Sequence, residues 1–313
     1  MKIKPLFAIV LLSVLLFPDI RLSYAKPKYQ ELKYLFTIEK KEDRFKHPSD
    51  VAISEDGLAY VLDGVNNRVV VFDGQGEYLY EFGKGGSGEG EFDMPLGLSL
   101  DRKGNVYVAD SGNHRIVALS PKGDFLYEIQ VPPEGTKNPD PTDTVVDKRR
   151  KLLYMVDNEN HVIYTYNLRR KRFVRSIGEM GLGKIKVDLR WPFTLDIDRK
   201  GNVYVVDVIN TRVRVLSPEG RFTVDVGEWG VDSGQYFRPK GVAVDSKGRI
   251  YVSDSFLGVI QAFDSDGNFL ALIGDEKNGI KKFITPIRIS FDKDDRLYVV
   301  EQFAHKVSVF ELK

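Results

Sequence analysis

"PLGLSLDRKGNVYVADSGNHRIVALSPKGDFLYEI", Pro95 to Ile129, holds four short apolar runs, LGLSL, NVYVAD, IVALS and FLYEI, separated by DRKG, SGNHR and PKGD. The runs are β-branched and aromatic, and the breaks carry glycine, aspartate and asparagine. That pattern reads as four antiparallel strands joined by tight turns, and no helical period competes with it.

The same unit recurs along the chain. A tyrosine followed three residues later by an acid occurs as Tyr60 with Asp63, Tyr107 with Asp110, Tyr154 with Asp157, Tyr204 with Asp207, Tyr251 with Asp254 and Tyr298 with Glu301, at spacings of 47, 47, 50, 47 and 47 residues. A proline opens each unit: Pro48, Pro95, Pro141, Pro192, Pro239 and Pro286. Six residues past it stands Ser54 or an aspartate: Asp101, Asp147, Asp198, Asp245 and Asp292. Four strands at this period are the mark of a propeller blade, so the reading is all-β, a six-bladed β-propeller of four-stranded antiparallel blades. The fourth strand carries an aromatic residue with an apolar one four positions on, from Tyr78 and Phe82 to Phe269 and Ile273, in five copies only. The sixth lies upstream of blade one, where "KYLFTIE" supplies Tyr34 and Ile38, while the chain stops after the third strand of blade six. The N-terminal strand is therefore expected to pair into the last blade and close the ring, removing two free sheet edges.

"FDMPLGLSLDRKGNVYVADSGNHRIVAL" resembles an NHL repeat, and "YFRPKGVAVDSKGRIYVSD" is a second close copy. The resemblance covers roughly residues 45 to 313 and implies the same six-bladed propeller.

With 313 residues, 42% of them hydrophobic, the chain can bury a large core. Lysine plus arginine (46) nearly balances aspartate plus glutamate (45), so no overall field points to nucleic acid or an anionic membrane. The basic start at Lys2 and Lys4, the apolar run from Leu6 to Phe17 and the small residues Ser23 and Ala25 read as a signal peptide over residues 1–25, cleaved before a propeller of residues 26–313. The apolar run is shorter than the ~20 residues a membrane span needs. A periplasmic or extracellular monomer without a membrane span is expected. Absence of cysteine excludes disulfides, cysteine-ligated metals and a lipidated cysteine.

"GKGGSGEGEF", from Gly83 to Phe92, contains G-x-G-x-x-G at Gly83, Gly85 and Gly88. A dinucleotide fingerprint needs a helix to start at its third glycine. Here Pro95 and a strand follow, so the glycines are assigned to an inter-blade turn.

Six copies of the acid that ends each second strand argue for structure, namely acceptance of backbone N–H groups from the loop that follows. Departures from the repeat are better candidates for a site. Two positions past each proline stand Asp50, Gly97, Asp143, Thr194, Gly241 and Arg288, at the mouth of the central channel. Asp50 and Asp143 can hold a cation such as calcium, or Arg288 can pair with Asp50; the few oxygens on offer favour the ion pair, because calcium takes about six to eight. No cofactor is assigned. The loops after the second strand turn apolar in blades four to six, at Val208, Ile209, Phe256, Leu257 and Phe303. An apolar sector on one face marks a protein or peptide contact, with burial under neighbouring connections as the alternative.

Blade three carries Lys148, Arg149, Arg150 and Lys151, then Arg169, Arg170, Lys171 and Arg172, on turns of the opposite face. NHL propellers of some cytoplasmic proteins bind RNA, but an exported chain without an interleaved aromatic platform does not suggest it, and no nucleic acid partner is expected. A zinc lyase resembling this fold requires three converging histidines, whereas His114, His161 and His305 fall in equivalent loops of blades two, three and six. The reading is therefore a non-catalytic binding scaffold. The alternative is a calcium- or zinc-dependent lyase or hydrolase at the channel mouth.

Overall fold

A computed structural model of the chain describes residues 28–40, 42–132, 138–178, 187–275 and 277–313. The expected signal peptide lies outside the described residues. Among those that are described, no helix is long and apolar enough to cross a membrane.

Six four-stranded antiparallel sheets form the blades, and each begins at one of the six prolines. Blade one comprises Pro48–Ile53, Ala59–Asp63, Arg68–Phe72 and Tyr78–Phe82; the others repeat it from Pro95, Pro141, Pro192, Pro239 and Pro286. The first strand lines the channel and the fourth lies at the rim. In blade one the second and third strands are wholly buried, as expected of strands packed on both faces, while the fourth is partly exposed.

Successive side chains point to opposite faces of a sheet, so each blade feeds two interfaces. Val61 and Val70 pack toward blade six with Val300 and Val309. Their neighbours Leu62 and Val69 pack toward blade two with Leu98 and Val108. Six such clusters occupy the six interfaces of the ring. All six tyrosines of the repeat are buried in them. Burying each such side chain contributes about 1.5–3 kcal/mol.

The ring closes as the sequence leads one to expect. Leu32–Ile38 pairs antiparallel with the C-terminal strand Lys306–Leu312, from Leu32 opposite Leu312 to Ile38 opposite Val307. The sequence did not reveal that Tyr29–Gln30 also adds in parallel to the outer edge of blade five, opposite Leu272 and Ile273. The first described residues thus tie two blades together. The turn reading of the glycine-rich stretch also fits: Phe92 donates to the Lys84 carbonyl and Gly86 to that of Phe92, at 2.9 and 3.0 Å. Gly83 has φ +90°, and a Cβ there would stand 2.4 Å from the Phe92 ring, so the glycine is needed for close approach.

Deleting residues 28–40 exposes the edges of Lys306–Leu312 and of blade five. The variant is expected to melt lower and to run as oligomers in light scattering; a monomer of unchanged melting temperature would contradict the closure.

Candidate functional site

The first strand of every blade breaks its register just after the opening proline; in blade one the pairing passes from Pro48 opposite Asp63 to Asp50 opposite Leu62. Such a bulge re-aims the side chain that follows it, here into the channel. The shift recurs at Pro95/Gly97, Pro141/Asp143, Pro239/Gly241 and Pro286/Arg288, and in blade four it extends to Leu195.

Three of the side chains so placed form one buried bridge. Arg288 Nε stands 2.8 Å from Asp50 Oδ1, close enough for an ion pair but out of line for a hydrogen bond, and its Nη1 donates to Asp143 Oδ2. Each aspartate also clamps the next blade. Asp50 Oδ2 accepts the Leu98 amide at 2.7 Å, and Asp143 Oδ2 accepts the Leu195 amide at 2.8 Å. Thr194 donates its hydroxyl to the Lys240 carbonyl at 2.5 Å. Gly97 leaves room for this arrangement: a Cβ there would meet Asp143 Oδ1 at 2.5 Å.

A fourth charge, unnoticed in the sequence, is Asp196, two residues past Thr194. Its oxygens accept the Ile197 amide at 2.7 Å and the Val244 amide of blade five at 2.8 Å. One guanidinium faces three carboxylates, and burial penalises their charge. It raises Asp50 above the ordinary carboxylate range, Asp143 to about 7 and Asp196 to about 6, against the opposing pull of Arg288.

The bridge divides the channel. On the loop side, beneath Gln302 and Phe193, only about 40 Å³ remains. On the turn side a vestibule of about 740 Å³ opens, lined by Arg288 and Asp196 below and by Arg102, Lys148 and Lys293 above. The channel residues were expected at a mouth shared with the loops. That face is nearly closed and the roomy opening lies opposite, because the bulges seat Asp50, Asp143 and Arg288 near the loop end of their strands.

On the loop face Phe256 and Phe303 are 65% and 60% exposed and Ile209 is 55% exposed, whereas Leu257 and Val208 are half-buried, with Val208 against the core. Burial under neighbouring connections thus accounts for Val208 in part, and not for the phenylalanines. The structure adds residues the sequence did not single out, from the segments entering each blade. Phe237 stacks on Phe256 at 4.3 Å between ring centroids, and Trp191, Met94 and Ile284 are exposed. Trp191 lines a groove with Ile209 and His161, and the Phe303 ring meets His47 edge-on at 5.2 Å. Lys240 lies over the Phe193 ring at 3.5 Å, with burial lowering it to about 8.

The repeated acids are structural, and in every blade they take a donor that was not expected, with the expected one added in blades three and five. Asp63, Asp110, Asp157, Asp207 and Glu301 accept the amide of the segment entering their own blade: Lys46, Asp93, Asp140, Arg190 and Ile284. In two blades the acid also takes amides of the following loop: Asp157 accepts that of Asn160 at 3.3 Å, and Asp254 those of Phe256 and Leu257 beside the entry amides of Phe237 and Arg238. The histidines join blades. His305 Nδ1 accepts the His47 amide and His161 Nδ1 that of Trp191, both at 3.2 Å, while His114 Nδ1 lies 2.7 Å from the Pro139 carbonyl. Among the described residues no three histidine, cysteine or acidic side chains converge as a metal site would require.

In the basic cluster, Arg149 donates to the Arg199 carbonyl, Arg150 to Asp147 and to the Lys200 carbonyl, and Lys148 lies 3.9 Å from Glu55. Lys151 is exposed beside them. Arg169, Arg170 and Arg172 are exposed on the outer turn, where Lys171 covers the Tyr127 ring. The cluster is thus split between the channel rim and the outer edge.

Fold and channel together define a six-bladed β-propeller. A family model described as "6-bladed beta-propeller" (DUF5128) matches residues 28–137. Similar structures include a streptogramin B lyase, 15% identical with TM-score 0.62 over 90% of this chain and 98% of that one. A protein of unknown function from Bacteroides thetaiotaomicron VPI-5482 is 14% identical with TM-score 0.66 over 91% and 75%. The RRP9 WD40 repeats are 11% identical with TM-score 0.63 over 90% and 100%. At these identities the likeness is one of fold alone. No curated protein matches the chain.

Two measurements test the bridge. Arg288→Met leaves two buried carboxylates uncompensated and is expected to cost about 3–5 kcal/mol in denaturant unfolding; a loss under 1 kcal/mol would deny the bridge its role. For pH, Asp50, Asp143 and Asp196 have folded pKa values above their unfolded ones. The folded state therefore holds more protons between about pH 4 and 7, and this contribution to stability is full below that window and lost as pH rises through it. Urea midpoints should fall from pH 4.5 to 7.5; a flat or rising trend would contradict the raised values.

Proposed function

We propose that the chain is an exported propeller of the NHL type that recognises a protein or peptide through the loop face of blades four to six. The observation that carries this reading is the exposed stack of Phe237 on Phe256, at 40% and 65% exposure, with Ile284 and Phe303 exposed on the neighbouring blade and Trp191 beside Ile209 on the other. Large apolar side chains held open on one face by bonded loops are the usual makings of a contact patch, because covering them releases water without ordering new backbone. The loop amides of Phe256 and Leu257 are fixed on Asp254 at 3.0 and 2.8 Å, so the anchors are presented on rigid turns. On this face Thr194 is spent on the Lys240 carbonyl and Arg288 on Asp50 and Asp143, and selectivity falls to the polar rim around the rings.

A metal-dependent lyase or hydrolase at the channel is the weaker reading. The carboxylates it would use, Asp50 and Asp143, already share a guanidinium, and each bonds a neighbouring blade's amide.

Phe256→Asp changes an exposed side chain, so stability should move by no more than about 0.5 kcal/mol. Crosslinking pulldowns from the cell envelope should return a partner with the native protein and lose it with Phe256→Asp. An unchanged partner set would defeat the proposal. Calcium or zinc at one equivalent in elemental analysis would support the enzyme reading instead.

A further inference from the structure

The vestibule on the turn face lies on the other side of the bridge from the proposed contact patch, and neither the repeat nor the loop-face reading accounts for its charge. Its rim is one column of the repeat, seven positions past each proline: Glu55, Arg102, Lys148, Arg199, Ser246 and Lys293. Arg102, Arg199 and Lys293 come from blades two, four and six, so they stand on alternate blades around the opening. All three are exposed and line the cavity, and no acid pairs with them among the described residues. Lys148 is held only by the surface pair with Glu55, worth about 0–1 kcal/mol. Of the turn acids just below, Asp147 and Asp292 are neutralised by Arg150 and Arg296 at 2.9 and 2.6 Å, while Asp198 is engaged by the Lys200 and Asn202 amides, the Asn202 side chain and the Tyr204 hydroxyl. Four of the six rim positions are cationic and one, Glu55, is acidic, so the rim carries a net positive charge, and a well with low-dielectric walls concentrates that potential at its mouth.

Below the rim the chemistry changes. The wall column, four positions past each proline, presents Ser99, Asp196 and Ser290 among apolar neighbours. The Ser290 hydroxyl has no hydrogen-bond partner among the described residues, and each Asp196 oxygen, bonded to one amide, keeps acceptor capacity. On the floor Arg288 uses Nε and Nη1 for the aspartates, and its Nη2 has no bond to another described residue. About 740 Å³ is the size of a small-molecule site. Cations above, and acceptors with a free hydroxyl below, match a ligand with one anionic group and a hydroxylated body.

We propose that the vestibule binds a small sugar acid or sugar phosphate, its anionic group drawn to the cationic rim and its hydroxyls toward Asp196 and Ser290. A polyanion fits less well, since the cations encircle a well rather than follow a groove.

Titration calorimetry on the purified protein with galacturonate, glucose 6-phosphate, glucose and inorganic phosphate decides the matter. At least one of the two sugar anions should bind, and which one does distinguishes a carboxylate from a phosphate head. Glucose and inorganic phosphate should each bind about tenfold more weakly or not at all, since each lacks one half of the match. The double variant Arg102→Glu, Lys293→Glu, exposed and remote from the core, should abolish binding; Ser290→Ala should weaken it severalfold, with melting temperatures reporting an intact fold. Phe256→Asp, on the opposite face, should leave it unchanged. The proposal is overturned if neither sugar anion binds at millimolar concentration, if inorganic phosphate binds as well as they do, or if the charge-reversed rim retains affinity.

Discussion

The innermost strands of six blades must converge on one axis, and this crowding governs the rest of the molecule. Their side chains compete for little space, so two of the six inward positions are glycine. At Gly97 a Cβ would collide with Asp143, and at Gly241 it would lie 2.8 Å from Ser253 Oγ. Into the remaining space go the guanidinium of Arg288 and the carboxylates of Asp50 and Asp143. Such a group is costly to bury and is tolerated only when its charge is balanced. Here the aspartates do double duty, balancing the cation and capping amides that blades two and four would otherwise leave unpaired at the axis.

Apolar burial lies elsewhere, in the interfaces between blades. Each second and third strand contributes alternate residues to two clusters, so no blade owns a core, and an open edge would leave one cluster half covered. That is why the termini interlock. Leu32–Ile38 completes blade six and brings Ile38 into the cluster shared with blade one, while Tyr29–Gln30 reaches back onto blade five.

The fold was legible because its signals are local and repeated. The buried tyrosine, the strand-opening proline and the acid each serve a need internal to one blade, so each recurs at the same period, and the missing sixth fourth-strand marker pointed to Tyr34 and Ile38. The site was less legible because it depends on what distant positions do together. Asp196 escaped notice since it stands two residues off the column holding Asp50 and Asp143, where blade four extends its register shift to Leu195. Trp191 and Phe237 precede strands that begin at proline, and only the ring geometry shows that such entry residues lie uncovered. The two ends of the channel look alike in a linear pattern; bulge geometry alone decides that the loop end is nearly shut. The entry-segment donor to the repeated acids was missed for a related reason, since Lys46 and Asp63 are distant in sequence and meet only when the entry segment folds over the second strand.

Because the bridge closes the axis, the two faces are separate surfaces on one rigid body. The loop face offers aromatic rings on turns pinned by buried acids, suited to covering by another apolar surface. The turn face offers a charged well whose depth is fixed by Arg288, suited to a small polar molecule that enters and stops. Arg288 lines the cavities of both faces, with Asp50 and Asp143 beside it. A proton gained or lost within that trio is a local event set between both faces, and burial raises Asp50 above the ordinary carboxylate range and Asp143 to about 7.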